Sequence, residues 1–590
     1  MTRSENTQTA ATCSLSGASC PGFGIGLWVL VALPAIILAA LIFAFGVNVP
    51  FYDEWGTPAS SLIHAARGTL TIGHLIAQHN ESRPLVLRLF SLIGTYFFGW
   101  DVRHGMWASF LLACVIAGNL YFLARKNLVD GRAAFSAVFV ANCLIFSPAQ
   151  WENWLMGWQM AVFVPIACLT AALLAIYSAA SLRCKFLVGA ALSTVSTFSF
   201  ANGMVCWPLL APALVASSQV SSRQRAGVLI GWVLLASAIL GLYFHGYARP
   251  AHHPAFGKAV RHPLATLLYF LSLLGSPLWF QALGPRVLIG AIFLLLFLVA
   301  CAYVLKNKKD GELRLRALPW LVIGGYAVIS CFTIALGRVG FGLATAVAPR
   351  YVTHSTYLIV AVVYLARILP IQAWLKGSMR SRVGAASVAT LCAVLLVRSF
   401  VAGAGKMSEL NHQRLFAKSC VLWVNVLKDE ECIRRFVYPN PERLIRTANE
   451  LNDLNLLEPK LIDTARIQSV KQPSDKSAGV FESLLQKRDG RYSAHGWAVL
   501  PDSGAPAHAV VLAQGPAGSE VAFALAMVEG GRPDAASVLR QSSPRRLRWG
   551  VSFSVDWPLR QPIEISAWAF DATHSRLFML EQQHVIAGRL

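Results

Sequence analysis

Charge is what this 590-residue chain lacks. Aspartate, glutamate, lysine and arginine make up only 14% of it, where a soluble domain carries about 25%. Acids are the scarcer sign, 29 against 51 basic residues, which leaves a formal net charge of +22. Apolar residues fill the deficit at 55% of the chain, with a mean hydropathy of +0.53. They fall in runs near the ~20 residues that cross a bilayer. A soluble globular protein is excluded, and the composition is that of an integral, polytopic membrane protein.

Several motifs are also missing. There is no P-loop, no GxGxxG before a strand and no HExxH, so nucleotide-powered and zinc-hydrolase chemistry have no support. No two cysteines have zinc-ligand spacing. Cys114, Cys143, Cys168, Cys301, Cys331 and Cys392 lie inside apolar runs, where cysteine acts as a small hydrophobe. Only Cys420 and Cys432 share a polar segment, and a disulfide can join them if that segment is extracytoplasmic. No solenoid repeat or low-complexity tract is present.

The positive charge does not call for a nucleic acid. Basic residues cluster in short connections between apolar runs: Arg125, Lys126 and Arg132; Arg183 and Lys185; Arg223 and Arg225; Lys306, Lys308 and Lys309; Lys376, Arg380 and Arg382. This is the positive-inside pattern of a polytopic membrane protein. It predicts a cytoplasmic tail over residues 1–22 and an uncleaved first span over 23–47, too long for a signal peptide's ~7–15-residue apolar core. The short run Leu85–Phe98 carries Arg88 and reads as an amphipathic helix on the outer surface. Spans follow near 104–123, 133–148, 157–181, 186–200, 203–219, 226–246, 287–305, 317–336, 353–370 and 384–402, about eleven in all. The stretch 264–283, broken by Gly275, Ser276 and Pro277, reads as re-entrant or interfacial. The expected architecture is therefore mainly α and membrane-spanning over 23–403. An extracytoplasmic helical segment (404–475) and a β-sandwich domain (476–590) follow, the latter signalled by short alternating runs broken by Gly, Pro and Asp.

This topology, set by basic residues alone, sends the polar motifs to one side: "YDEW", "HNESR", "WENW", "FANG", "HGYARPAHHP" and "GRVGFGLATAVAPRYVTHS". Asp53 and Glu54 either cap the next helix as solvated charges or form a site between Tyr52 and Trp55, whose rings can pack on a sugar. Their neighbourhood favours the site, with one acid as general base and the other positioning substrate or metal. His79, Glu81 and Arg83 are ordinary loop residues, or contacts for phosphate, acceptor or metal. Trp151, Trp154 and Trp158 around Glu152 form an aromatic belt or line a carbohydrate pocket. Arg350, beside Tyr351, either snorkels or holds a phosphate at headgroup depth. His252, His253 and His262 have no metal-ligand spacing and read as loop residues.

The pattern "PFYDEW…HNESR…QWENW…FSFANG…RY" resembles the glycosyltransferase C superfamily over residues 23–403. That superfamily includes protein mannosyltransferases and aminoarabinose transferases. Within it, the wording is similar to a group of poorly characterised bacterial membrane proteins. The resemblance implies a polyprenyl-phosphate-linked sugar donor and an envelope glycan, lipid or protein acceptor. It implies Asp53 as base with Glu54 assisting, and Arg350, by a looser match, on the phosphate. Tyr52, Trp55, His79, Glu81, Arg83, Glu152, Trp154, Asn202 and Tyr351 complete the substrate-binding set. No cofactor is implied with certainty; a divalent metal is possible, and Asp53, Glu54 and Glu81 would hold it. "HNESRP" stands where several relatives have "HPP", which bears on acceptor handling. The tail does not match the transferases named. Trp497, Trp549, Trp557 and Trp568 are either core residues or sugar-stacking ones. The competing class is a non-catalytic envelope glycan transporter, flippase or scaffold. Its path would need polar residues at the bilayer midplane, and the spans show few.

Overall fold

The structure is a computed structural model. It describes residues 25–128, 131–216, 221–251, 253–254, 256–278, 282–369, 379–528, 548–554 and 562–587. The 1–22 tail, His252 and Trp557 lie outside the described residues.

The chain is a multi-pass membrane protein. Among the described residues nine helices are long and apolar enough to cross a bilayer: Gly26–Phe45, Arg103–Asn127, Ala134–Trp154, Gly157–Ile176, Ser222–Phe244, Leu283–Lys306, Gly311–Phe341, Pro349–Ile368 and Ala389–Leu422. Helix is the dictated form, because hydrocarbon offers no partner to a free peptide group. The other two expected spans, 186–200 and 203–219, fold as Leu182–Thr197 and Cys206–Ala216, of 16 and 11 residues. At 1.5 Å per residue the first falls short of the ~30 Å hydrocarbon core, and residues 217–220 of the second lie outside the described residues. The interrupted stretch is likewise a short helix, Pro263–Gly275. The bundle core gathers around Met160–Ile176, most of whose side chains are buried.

Leu85–Phe98 is a single amphipathic helix. Leu87 and Arg88 are buried beneath it, while Leu89, Ile93, Tyr96, Phe97 and Phe98 are exposed. Arg88, the residue that argues against a span, donates Nη1 to the carbonyls of Leu75 and Ala77 at 2.8 and 2.6 Å.

No break falls at the domain boundary expected near residue 403. One helix, Met379–Leu422, runs through it unbroken for 44 residues. Beyond it, a Cys420–Cys432 disulfide folds helix Glu430–Phe436 back. Helix Pro441–Asp453, started by Asn440 accepting from Arg443 N at 3.0 Å, buries Leu444, Ala448 and Leu451.

Among the described residues eight antiparallel strands follow: β1 Gly479–Gln486, β2 Tyr492–Ala498, β3 Ala509–Gln514, β4 Val521–Ala526, β5 Arg548–Phe553, β6 Ile563–Asp571, β7 Arg576–Met579 and β8 His584–Ile586. They form a three-stranded sheet, β1-β2-β5, and a five-stranded sheet, β4-β3-β6-β7, in which β8 also pairs with β6. The large sheet is buried on both faces. Val510, Leu512, Ile565, Ala567 and Ala569 meet Phe481, Ala494 and Trp549 of the small sheet. The alternate residues Val511, Trp568 and Phe570 pack on Trp423, Ile433 and Leu444 of the helical segment. The two sheets thus form the outer part of a three-layer cap. Trp549 and Trp568, at 2% and 0% exposure, are core residues with no face left for a sugar.

The same core takes in Val47, Val49, Trp55, Ala59 and Ile63 from the connection after the first span. The cap therefore sits directly on the segment that carries "YDEW".

Replacing Cys420 and Cys432 together by serine opens a loop of sequence separation 12. The expected loss is about 2–3 kcal/mol of cap stability, read as a lower thermal midpoint, with two more thiols alkylated without reductant in wild type than a bonded pair allows counting against the bond.

Candidate functional site

The site starts from one turn of 3-10 helix, Tyr52–Trp55. Tyr52 adopts a left-handed backbone (φ 43°), unfavourable for an aromatic residue. Its N–H donates to the Val437 carbonyl of the cap at 3.2 Å. The turn separates the two acids. Asp53 faces outward with 43% of its side chain exposed, whereas Glu54 is 2% exposed. Glu54 Oε2 accepts from Phe51 N at 2.8 Å and Oε1 from Trp158 N at 3.0 Å. Burial pushes the Glu54 carboxyl up to about 7, against the pull of those backbone donors and the Arg414 charge.

The Trp158 N–H is placed by a glycine contact. A Cβ on Gly105 would collide with the Gly157 backbone, and one on Gly157 with the Val102 carbonyl. Only glycines let the 157–158 turn lie this close to the helix Arg103–Asn127.

"HNESR" closes on itself through paired His79 and Ser82 backbone bonds of 2.8 and 2.9 Å, with Asn80 left-handed between them. His79 Nε2 lies 3.3 Å from Asp53 Oδ1, and its ring centroid is 5.7 Å from that of Trp158. Glu81 is ion-paired with Arg338 and lies 3.4 Å from His253 Nδ1. Ser82 Oγ accepts from Ala201 N at 3.1 Å, which brings in "FANG". There the buried Asn202 Nδ2 has no hydrogen-bond partner among the described residues. Arg83 is spent on structure: its three nitrogens donate to the carbonyls of Tyr243, Ile76 and His245 at 2.7–2.8 Å.

"WENW" and "APRY" join in the same way. Glu152 pairs with Arg350 at 3.0 Å. Asn153 Nδ2 donates to Arg350 O and Thr353 Oγ1 at 3.0 and 2.7 Å. The Arg350 guanidinium lies 5.3 Å from the Tyr351 ring, itself 9% exposed. Trp154 is fully buried and donates to Ser147 O at 2.9 Å.

The polar motifs thus meet in one cluster beside the cap: Asp53 lies against His79 within the fields of Arg350 and Arg338, which pair with Glu152 and Glu81, and Tyr52 next to Asp53 is 41% exposed. Trp55, Trp154 and Arg83 are not part of the cluster, because the fold uses each for packing or for tying loops. Arg338 and Arg414 were not singled out from the sequence. Arg338 is the last residue of a span, and Arg414 hides in the amphipathic "NHQRLF". For Asp53, burial raises the carboxyl, but the adjoining His79 ring, then the fields of Arg350 and Arg338, outweigh it and leave the group below its ordinary value. Asp53 is accordingly an ionised acceptor at neutral pH. The three acids offered to a metal do not converge, and among the described residues no group of three or more His, Cys, Asp or Glu is arranged to hold one.

Beside Glu54, under the helix Leu85–Phe98, lies a small cavity of about 20 Å³ whose lining is mixed, with Leu87, Phe90 and Trp158 beside Glu54, Asp101 and His104.

No family model and no curated protein matches the chain. Among solved structures it is similar to the crystal structure of ArnT from Cupriavidus metallidurans in the apo state. The match has 12% identity and a TM-score of 0.27, covering 58% of this chain and 77% of that one. At that TM-score the likeness is too loose to carry a site across.

Glu54 gives a pH signature. Its folded value, about 7, lies above its unfolded one, so the native state binds the extra proton and this group's stabilisation is lost as pH rises from about 4.5 to about 7. Glu54→Gln has no such loss. Its stability relative to wild type should improve across that window by up to about 3 kcal/mol and stay level above it, as read by thermal melts at stepped pH. A constant gap would show that Glu54 titrates normally.

Proposed function

We propose that the chain is a membrane glycosyltransferase. It moves a sugar from a polyprenyl-phosphate donor to an envelope glycan, lipid or protein acceptor at the extracytoplasmic face of a bacterial cytoplasmic membrane. The observation that carries the reading is Asp53: an ionised, half-exposed carboxylate held by His79 within the fields of Arg338 and Arg350. The clustering of basic connections supports a cytoplasmic N-terminus and an extracytoplasmic cap. On this reading 23–403 is the catalytic transmembrane unit, and 404–475 and 476–590 roof it.

In the proposed reaction an acceptor hydroxyl hydrogen-bonds to Asp53. Its oxygen attacks the anomeric carbon while its proton passes to the carboxylate. The bond from that carbon to the phosphate oxygen breaks, and polyprenyl phosphate leaves with the electron pair. A single displacement inverts the anomeric centre. His79 holds Asp53 in place, and the guanidiniums of Arg338 and Arg350 offset charge gathering on the leaving group. The exposed Tyr96, Phe97 and Phe98 on the helix Leu85–Phe98 suit a donor whose tail stays in lipid.

Asp53→Asn at normal abundance should lower transfer by roughly 10²-fold or more. The envelope glycan and lipid-linked sugar profiles should then match those of a deletion strain. A wild-type profile in the variant, with the deletion altered, rejects the assignment. The orientation has its own check: alkaline phosphatase fused after Asn455 should be active, and an inactive, abundant fusion reverses the topology.

A further inference from the structure

The small sheet of the cap has two unlike faces. Ala494 and Ala498 of β2, with Trp549 and Phe553 of β5, point into the core. Side chains alternate along a strand, so Ser493, His495 and Trp497 of β2 stand on the outer face, opposite Ser552, Gly550 and Arg548 of β5. Trp549 and Trp568 belong to the core, but Trp497 is partly exposed and His495 fully so.

The middle of β5, "RWGVSF", carries Gly550. Glycine weakens a strand interior and commonly marks a close approach. Here a Cβ would come within 2.6 Å of His495 Nδ1. The bare position lets the His495 ring fold across β5 into the space a side chain would take, with its Nε2 2.7 Å from Ser493 Oγ. Trp497 follows two residues along, on the order of 7 Å away. The face thus sets two rings in file along β2.

Cations border the rings at both ends. Arg548, opposite Trp497, has 63% of its side chain exposed and lies 3.9 Å from Glu482. At the other end Lys487 Nζ donates to Ser552 Oγ at 2.7 Å and Arg491 Nη2 to Ser552 O at 3.2 Å. Asp489, at the hairpin between them, turns its carboxylate to Arg491 N at 3.1 Å. Trp497 to Arg491 spans roughly 20 Å of extended strand. The apolar C–H face of a pyranose packs on an aromatic ring, and a carboxylate or phosphate on that sugar suits the cations beside it. A membrane surface fits less well. It needs a broad apolar area to enter the interface, and Leu485 is the exposed aliphatic side chain among the described residues of this face.

We propose that the outer face of β1-β2-β5 is a second binding site, which takes a chain of acidic sugars lying along β2. Trp497 and His495 carry the sugar rings, and Arg548, Arg491 and Lys487 meet their charges. That the bound chain is the acceptor rests on the transferase reading; the site itself does not.

The test uses the full-length protein in detergent, with the hexamer of galacturonic acid, neutral maltohexaose and phosphatidylglycerol in mixed micelles as probes. Titration calorimetry should show the galacturonate hexamer bound more tightly than maltohexaose. Trp497→Ala should weaken it roughly tenfold, and Trp497→Phe, which keeps a ring, should fall between. Lys487→Gln together with Arg491→Gln, two exposed side chains, should weaken the acidic hexamer and flatten its salt dependence, leaving maltohexaose as before. Thermal melts without ligand check folding, and the glutamine pair and Trp497→Phe decide the matter if Trp497→Ala unfolds. A wild-type protein that binds neither hexamer overturns the proposal. So does wild-type affinity in either tryptophan variant with the salt dependence kept, which means adsorption by charge alone. Displacement of the hexamer by phosphatidylglycerol also overturns it and makes the face a membrane contact. The measurement needs no turnover, so an Asp53→Asn strain with unchanged glycans would reject the transferase reading and leave this site standing.

Discussion

A carboxylate shut away from water holds two loops of this protein together. Glu54 takes one backbone N–H from its own turn and another from Trp158, some hundred positions along the chain. Each part of the site follows from that clasp. The Gly105–Gly157 approach places the second donor, Trp158 packs near His79, and His79 reaches Asp53. Glu54 faces inward, which leaves its neighbour Asp53 to face outward. One acid supplies the rigidity that lets the other stay accessible and ionised.

Much of this was legible in the sequence, for a physical reason. Basic residues report topology whatever the loops do chemically, so they sort "YDEW", "HNESR", "WENW" and "APRY" onto one side without knowledge of their roles. The fold then brings these segments into contact through Ser82, Asn153 and the Glu152–Arg350 pair. Exposure was not legible. Trp55 and Tyr52 flank the same acids, yet one is 2% exposed and the other 41%, because the turn leaves its first two side chains outward and buries its last two. Arg83 and Arg350 look alike in a string of letters. Only the nearby carbonyls of Tyr243 and His245 reveal that the first has no freedom to bind anything else.

The C-terminal third was the hardest part to read. Alternating strands predict one buried and one wet face, and β3 and β6 carry that pattern only weakly because both their faces are covered. The strip of core shared by the cap, Trp55 and Ile63 makes the cap part of the architecture of the site. A chain cut at residue 403 would lose the Val437 carbonyl that holds Tyr52 left-handed, and with it the geometry that parts Asp53 from Glu54.

The unbroken helix Met379–Leu422 also makes length a conserved quantity. Each residue added to an α-helix turns everything beyond it by about 100° and lifts it by about 1.5 Å. A single insertion between Gly403, which abuts Pro148, and Arg414 would swing the guanidinium off the Phe51 ring it covers and turn the whole cap about the helix axis. Substitutions along that stretch are local events, but a change in its count of residues is felt at both ends. Genetic drift in this protein should therefore find the eleven steps from Gly403 to Arg414 far easier to respell than to lengthen.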